Sequence, residues 1–187
     1  MVEPPTAQRP HPPIWVAAAS APSIRRAAAR SFNLILDQYA APDAIGERIA
    51  LYRAGREASG QAFDAMQVAV ARQVYVAKNT TDKEAALERL AKYTQRTVEV
   101  SRAPDGKTGS HVLAYADRVG STEANALYGT ADEICDKLAA LNRAGAEYVL
   151  LSVSGGSREQ LRRIAREIMP EFSHAQSLPR QPAAVST

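Results

Sequence analysis

Cysteine, histidine and long apolar runs are scarce in this chain. The 187 residues include one cysteine, Cys135, so no intramolecular disulfide can form. The three histidines, His11, His111 and His174, are scattered along the sequence, so we predict neither a metal cluster nor a catalytic triad. No run of 18 apolar residues is present, and the N-terminus lacks the charged-then-apolar order of a signal peptide. We therefore expect a cytoplasmic protein.

Neither positive nor negative charge predominates in this chain. The 23 lysines and arginines face 20 acidic residues, which leaves a net charge of only +3. Opposite charges alternate along predicted helices, as in Arg158–Glu159 and Arg166–Glu167. A nucleic-acid-binding surface needs a one-sided basic stripe with interleaved aromatic residues, and the sequence shows neither. We expect no nucleic-acid partner and no membrane partner.

The chain does contain a regular alternation of short apolar strands and amphipathic helices, with no hairpin signal. Such an alternation predicts an α/β fold with a parallel sheet and right-handed crossovers. An open doubly wound sheet and part of a (β/α)8 barrel both remain compatible with it. The predicted strands are 14–19, 34–38, 67–77 and 148–154, and the predicted helices are 22–30, 42–59, 81–96, 130–145 and 157–170.

Several side chains define the ends and faces of these helices. Thr81 with Glu84 and Thr130 with Glu133 form predicted capping boxes, and Ser157 is a third predicted cap. Gly145 and Pro170 are the expected helix ends, and Gly155-Gly156 is a predicted turn. In helix 42–59 the periodicity predicts three core residues, Ile45, Ile49 and Tyr52.

Composition divides the chain into three parts. Residues 1–13 are rich in proline, residues 14–172 form one predicted domain, and residues 173–187 form a tail that we expect to be disordered. Within the domain, residues 97–125 hold proline, several glycines and only scattered apolar residues. We predict an insertion or a loop there.

The junction between the first strand and the first helix is the strongest candidate site. Ser20 ends the strand, the helix opens near Pro22, and Ser23 follows in its first turn. Helix N-termini carry unsatisfied N–H groups and partial positive charge, so two hydroxyls there suit a phosphate. Ordinary capping of the helix by the same serines is the alternative.

Other polar or reactive side chains have simpler explanations. Cys135 lies between apolar residues of a helix, where a core thiol is expected rather than a nucleophile. Asp37 ends the second strand, where it could touch a ligand or make a loop hydrogen bond. Trp15 and Tyr75 lie within strands and are expected in the core.

The run of residues 10–28, Pro-His-Pro-Pro-Ile-Trp-Val-Ala-Ala-Ala-Ser-Ala-Pro-Ser-Ile-Arg-Arg-Ala-Ala, resembles the bacterial luciferase-like flavin-dependent monooxygenases. The similarity covers the C-terminal half of that family only, strands five to eight. It implies a partial (β/α)8 TIM barrel of about four parallel strands, that is, a C-terminal fragment that cannot close a barrel alone. The similarity continues through residues 33–37, 72–77, 127–130, 144–151 and 159–170.

The resemblance also implies a chemistry. Family members use reduced flavin and dioxygen to oxidise small organic substrates, and a related branch uses a deazaflavin for hydride transfer. It implies a monooxygenase with reduced FMN, or alternatively a deazaflavin, and a separate flavin reductase as a partner. A non-catalytic flavin- or phosphate-binding module and an inactive remnant both stay open, so whether the chain is an enzyme is undecided. A homodimer, or association with an N-terminal half, is expected because sheet edges would otherwise stay unpaired.

Carried onto this sequence, the family pattern selects few residues. A serine ending the fifth strand and a hydroxyl three residues later contact the flavin phosphate in several members. Ser20 and Ser23 match them, with the N–H groups of Ser23 and Ile24 as donors. Arg72 matches an arginine of the seventh strand, for which a structural ion pair is the simpler role. Ser31 with Phe32 replaces a glycine turn and is expected to crowd the neighbouring strand. The catalytic residues lie mostly in the other half, so none is assigned.

Overall fold

The computed structural model describes residues 11–101, 120–153 and 157–173. Strands and helices alternate along these residues. The strands are β1 (Trp15–Ala17), β2 (Asn33–Leu36), β3 (Val68–Val76), β4 (Leu127–Gly129) and β5 (Tyr148–Val153). The helices are α1 (Ala21–Ala29), α2 (Pro42–Ala58), α3 (Thr80–Ser101), α4 (Ser121–Asn125), α5 (Ala131–Arg143), α6 (Arg158–Arg163) and α7 (Met169–Phe172), and a π-helical turn (Ile164–Ile168) joins the last two.

The sheet is parallel throughout, as predicted. β1 pairs with β2, and β2 pairs with the first half of β3. Because Ala69 of β3 is paired with both Ile35 of β2 and Tyr148 of β5, those two strands lie on opposite edges of β3. The main order is therefore β1-β2-β3-β5. The short β4 pairs with residues 74–76 of β3. It lies on the same edge of β3 as β2, beyond the carboxyl end of β2. β4 was not predicted, because three residues are too few to show an alternating pattern.

One face of this sheet is covered by helices. Leu34, Leu36, Val68 and Val70 point to that face, where α1 and α2 pack over them. The helical partners include Ile24 of α1 and the three residues predicted from periodicity, which are confirmed as core: Ile45, Ile49 and Tyr52.

A second cluster lies under α5 and the C-terminal helices. It contains Val74, Val76, Leu127, Ile134, Ile164 and Ile168. Cys135 packs against this cluster and is partly buried. Burial, followed by nearby acidic groups, raises the pKa of the Cys135 thiol. These surroundings are those of a core thiol, as predicted, and not of an activated nucleophile.

The predicted helix starts at Thr130 and Ser157 are confirmed, and the predicted start at Thr81 is wrong. Thr130 Oγ1 accepts from the Glu133 amide, and Glu133 Oε2 accepts from the Thr130 amide, which completes the predicted capping box. The capping box at Thr81 is wrong. α3 starts one residue earlier, and Asn79 Oδ1 accepts from the Asp82 amide at 2.9 Å. Asparagine is a better N-cap than threonine, so the helix begins at the stronger cap.

The ends of two other segments also differ from expectation. α3 continues to Ser101, so the first residues of the predicted insertion 97–125 are helical. Its last residues, Ser121–Asn125, form the short helix α4. Pro170 does not end the last helix, which runs on to Phe172. Pro170 follows the π-helical turn and occupies the first turn of α7, where a missing N–H removes no intrahelical bond.

Some expectations fall outside the described residues. These are the proline-rich residues 1–10, the central part of the predicted insertion at 102–119, the glycine turn at 154–156 and the tail at 174–187. Along the stretches that can be described, no helix combines the length and apolarity required to cross a bilayer.

Candidate functional site

A cavity of about 340 Å³ opens at the carboxyl ends of β1 and β2. Its walls are formed by residues 17–19, residues 35–39 and Ala71 of β3. The walls are mainly small or apolar, and Asp37 and Gln38 supply polar groups at the rim. Parallel β/α barrels place their ligands at this end of the strands, so the cavity is where a barrel enzyme would bind substrate or cofactor.

The predicted hydroxyl pair lies where β1 turns into α1. Ser20 is the N-cap of α1, in extended conformation. Its Oγ donates to Ser23 Oγ at 3.0 Å, and Arg26 Nη2 donates to the same Ser23 Oγ at 3.2 Å. The first turn of α1 contains no acidic residue. Two hydroxyls, one guanidinium and the positive end of a helix dipole are therefore brought together.

The backbone amides at this helix start differ in what they already bond. The amide of Ile24 donates to the Ser20 carbonyl at 3.0 Å, and the Ile24 side chain is fully buried. Ser23 lies one position earlier, where helix geometry provides no intrahelical acceptor for the N–H. Of the two predicted amide donors, Ser23 is thus better placed for a ligand than Ile24.

Arg26 was not selected from the sequence. The signal was present, because Arg26 follows Ser23 by three residues and helix geometry places such residues on the same side. Only the side-chain contact between Arg26 and Ser23 separates Arg26 from its neighbours.

Asp37 is held by the loop that follows β2. Its Oδ1 accepts from the amides of Tyr39 and Ala40, both at 2.9 Å, and its Oδ2 pairs with Arg48 at 2.6 Å. Burial alone would raise the pKa of the Asp37 carboxyl, but the Tyr39 amide, Arg48 and the Ala40 amide together hold that pKa below its usual value. The carboxylate is therefore ionised at neutral pH, and the predicted loop hydrogen bond is present.

Arg72 fixes the same loop from the helix-covered face of the sheet. Its side chain is 1% exposed, and its Nη1 donates to the Asp37 carbonyl at 2.8 Å and to the Ala71 carbonyl at 2.9 Å. Its Nη2 donates to the Ala40 carbonyl at 2.6 Å. A guanidinium that binds three carbonyls shapes the rim of the cavity from behind. These are hydrogen bonds to the backbone, and the predicted ion pair of Arg72 stays a prediction.

The remaining candidates are not brought to the cavity as reactive groups. Tyr75 donates from its hydroxyl to Asp82 and packs its ring 5.7 Å from that of Tyr128. His11 is exposed, and His111 and His174 lie outside the described residues. Across the residues that can be described, no group of three or more His, Cys, Asp or Glu side chains could hold a metal.

Comparison with known proteins agrees with this architecture. Residues 2–148 match the sequence profile of a family described as luciferase-like monooxygenases. This chain belongs to the luciferase-like monooxygenase family. No curated protein gives a significant match to it.

Solved structures of luciferase-like proteins superpose on this chain. The monooxygenase RslO1 from Streptomyces bottropensis matches with a TM-score of 0.69 and 21% identity, over 91% of this chain and 51% of its own. The oxygenating constituent of 3,6-diketocamphane monooxygenase from Pseudomonas putida, solved with FMN, gives a TM-score of 0.64 and 21% identity, over 86% and 49% of the two chains. An F420-dependent secondary alcohol dehydrogenase gives 0.62 and 18%, over 87% and 48%.

These likenesses establish the fold. The chain has the α/β architecture of luciferase-like TIM-barrel proteins, with a parallel sheet of about five strands in the described residues. It spans about half the length of the structures that it matches. The luciferase-like resemblance inferred from the sequence is confirmed.

Proposed function

We propose that this chain carries the flavin-binding part of a luciferase-like flavin-dependent monooxygenase. In this proposal reduced FMN is the cofactor, a deazaflavin is the alternative, and a small organic molecule is oxidised with dioxygen. Family membership supports the reaction class. One similar structure is described in complex with FMN and another with an F420–acetone adduct, which supports a flavin or deazaflavin.

The observation that carries the proposal is the hydrogen-bonded row of Ser20, Ser23 and Arg26 at the start of α1. A phosphate could accept from both hydroxyls and from the guanidinium, and the helix end favours its negative charge by about 0.3–1 kcal/mol. The amide of Ser23 would add a donor. The Ile24 amide already donates its hydrogen to the Ser20 carbonyl, so a phosphate would have to share that hydrogen.

The neighbouring cavity is suited to the rest of such a cofactor. Alanines at the end of β1 and Ala71 of β3 leave room, and Ile35 supplies an apolar wall. When bound, the reduced flavin supplies the electrons with which dioxygen is activated. Residues of this chain would anchor the phosphate, exclude water from the apolar walls and keep the Asp37 loop in place. A separate flavin reductase would deliver the reduced FMN.

Titration of the purified chain with FMN and with riboflavin tests the phosphate site, because riboflavin lacks only the phosphate. We expect FMN to bind about tenfold more tightly, a difference of about 1.4 kcal/mol. Ser20→Ala combined with Ser23→Ala should remove this preference and leave riboflavin affinity unchanged. Ser59→Ala is the matched control, since Ser59 lies at the opposite end of the α-helical layer, just after α2. Equal affinity of the unmodified chain for FMN and riboflavin would contradict the proposal.

A non-catalytic flavin-binding module is the second candidate. Its supporting observation is that Ser20, Ser23 and Arg26 lie in one strand-to-helix junction, so a single local segment forms the proposed phosphate site. Incubation with reduced FMN, air and a panel of small aldehydes and ketones separates the two. An oxygenated product detected by mass spectrometry supports the monooxygenase. FMN binding without any product supports the module.

A further inference from the structure

The two end strands of the sheet are unguarded. In the described residues β1 pairs only with β2, and β5 only with β3, so each has a free edge. Soluble proteins protect such edges by keeping the strand very short or with prolines, charged residues or bulges, and of these β1, with three residues, has only its shortness. Neither Trp15–Ala17 nor Tyr148–Val153 contains a proline or a charged residue. Both edges therefore have the composition of strands that are paired.

The backbone of β1 shows which of its groups point outward. Ile14 accepts from the Asn33 amide, and Ala18 donates to the Ile35 carbonyl. Even-numbered residues of β1 thus face β2. By alternation the N–H and C=O groups of Trp15 and Ala17 face away from it. These are the groups that a further parallel strand would use.

Exposed apolar side chains lie on β5 and on the last helix, α7. Met169 and Phe172 of α7 are 57% and 40% exposed, and Leu151 of β5 is 37% exposed. Leu151, Met169 and Phe172 line a groove of about 380 Å³ between α5 and these helices. The sequence predicts a buried strand here, whereas Leu151 lines this groove and is partly exposed. A contiguous apolar surface beside an unpaired edge marks an interaction site.

We propose that a second copy of this chain covers both edges. β1 of each copy pairs in parallel with β5 of the other, around a two-fold axis that runs along the strands. The strand order β1-β2-β3-β5, taken twice, gives eight strands, the number at which a parallel barrel closes around a packed interior. The contact is self-complementary, as two-fold interfaces are, and it leaves no free edge. This inference does not depend on flavin binding.

Charge complementarity favours a second copy as the occupant. α1 meets α2 at Ala28, which lies against Gly55. Helical spacing then places Arg26 and Arg30 on the other side of α1, toward the free edge of β1. In the closed barrel this side faces the C-terminal helices of the other copy, and α1 has arginines but no acidic residue.

In this arrangement α1 of one copy and the C-terminal helices of the other run in the same direction, so their carboxyl ends meet. Arg30 follows the end of α1, while Glu171 lies in α7 and Glu147 directly precedes β5; all three are exposed. Arg30 of one copy would therefore approach Glu171 and Glu147 of the other. The arginine stems would cover the apolar surface formed by Leu151, Met169 and Phe172.

Sedimentation equilibrium of the chain without flavin tests this inference. The expected particle is a dimer of the 20.1 kDa chain. Met169→Glu should raise the dimer dissociation constant at least about tenfold, since it places a charge in the apolar contact. Val100→Glu is the matched control: Val100 is 78% exposed on α3, which packs on β3 and β4 rather than on an end strand. A monomer, or open assemblies larger than a dimer, would overturn the inference.

A charge exchange tests the proposed register. Arg30→Glu and Glu171→Arg should each weaken the dimer about tenfold, because each unfavourable pair occurs twice in a two-fold assembly. The two changes together should restore the original affinity. A double variant as weak as the single ones overturns the register. A monomer that forms a 1:1 complex with the separately expressed N-terminal half of a luciferase-like protein would make that half the occupant and overturn the dimer.

Discussion

The rings of Trp15 and Tyr148 meet edge to face, with centroids 5.8 Å apart and planes at 79°. They belong to β1 and β5, which are the two ends of the sheet and are separated by β2 and β3. Strands lie about 4.8 Å apart, so the two ends of a flat sheet would be roughly 14 Å from each other. The two side chains share the face that carries Ala69, opposite the helices. Their contact fills the amino end of a concave surface.

This contact can be measured directly. Tyr148→Leu should lower the free energy of unfolding by about 1–2 kcal/mol, because an edge-to-face pair adds about 0.5–1.5 kcal/mol to simple burial. Trp15 is the only tryptophan, so its fluorescence emission should shift in the same variant. Tyr93→Leu, at a 59% exposed position, is the control and should change neither quantity. An unchanged emission spectrum in Tyr148→Leu would show that the rings do not meet.

The carboxylate of Asp37 predicts a pH dependence of stability. Its pKa is below its ordinary value of 3.8 in the folded chain, so the ionised form stabilises the fold. That contribution is complete above the unfolded value and is lost as pH falls through the lower folded value. Asp37→Asn should cost about 1–3 kcal/mol at pH 7, since Arg48 loses a charged partner. The difference from the unmodified chain should shrink below about pH 4.

Urea unfolding at pH 7 and at pH 3 measures this difference. Asp136→Asn, at an exposed position on α5, controls for the loss of one negative charge. A difference that grows on acidification would contradict the arrangement of Asp37 with Arg48 and the two amides.

Gly55 allows α1 and α2 to approach closely. A Cβ added to Gly55 would lie 2.8 Å from the Ala28 Cβ, too near for an undisturbed contact. Gly55→Ala should therefore destabilise the fold by a net amount of about 1 kcal/mol, because overpacking of about 1–3 kcal/mol exceeds the gain in helix propensity of about 1 kcal/mol. Thermal unfolding of this variant, of Ala28→Gly and of the double variant forms a cycle. Additive effects in that cycle would exclude the contact.

Ser31 takes the left-handed conformation, with φ at +59°. The family pattern has a glycine turn at this place, and β1 and β2 still pair in register here, with Trp15 opposite Asn33. A serine at this position therefore destabilises the fold through the left-handed backbone conformation of Ser31 and leaves the pairing of β1 with β2 intact. Ser31→Gly should stabilise the chain by about 0.5–1 kcal/mol, and its melting temperature should rise.

Ser31→Ala separates this backbone effect from the hydroxyl, which donates to Gln61 Oε1 at 2.8 Å. Alanine keeps the strained conformation and should give no gain. A melting temperature that rises equally in both variants would contradict the assignment of this cost to the backbone conformation of Ser31.

Local patterns were sufficient for much of the fold and for part of the candidate site. The capping box at Thr130 and the buried face of α2 depend on side chains a few residues apart, so the local sequence is enough to predict them. Ser20 and Ser23 were found in the same way, because both belong to one strand-to-helix junction. The strand β4 was not predicted, because it depends on pairing with β3. The continuation of the last helix past Pro170 was not predicted either, because it depends on the preceding π-helical turn.

The sequence by itself determined that this is a parallel α/β chain with a hydroxyl-rich helix start after its first strand, because hydrophobic periodicity and capping act over short distances. Only the tertiary structure decided that Arg72 holds the Asp37 loop by its carbonyls and that Trp15 reaches Tyr148. Those contacts require the curvature and register of the sheet, which arise from packing between residues as many as 133 positions apart, the separation of Trp15 and Tyr148. No short segment of the chain specifies that packing.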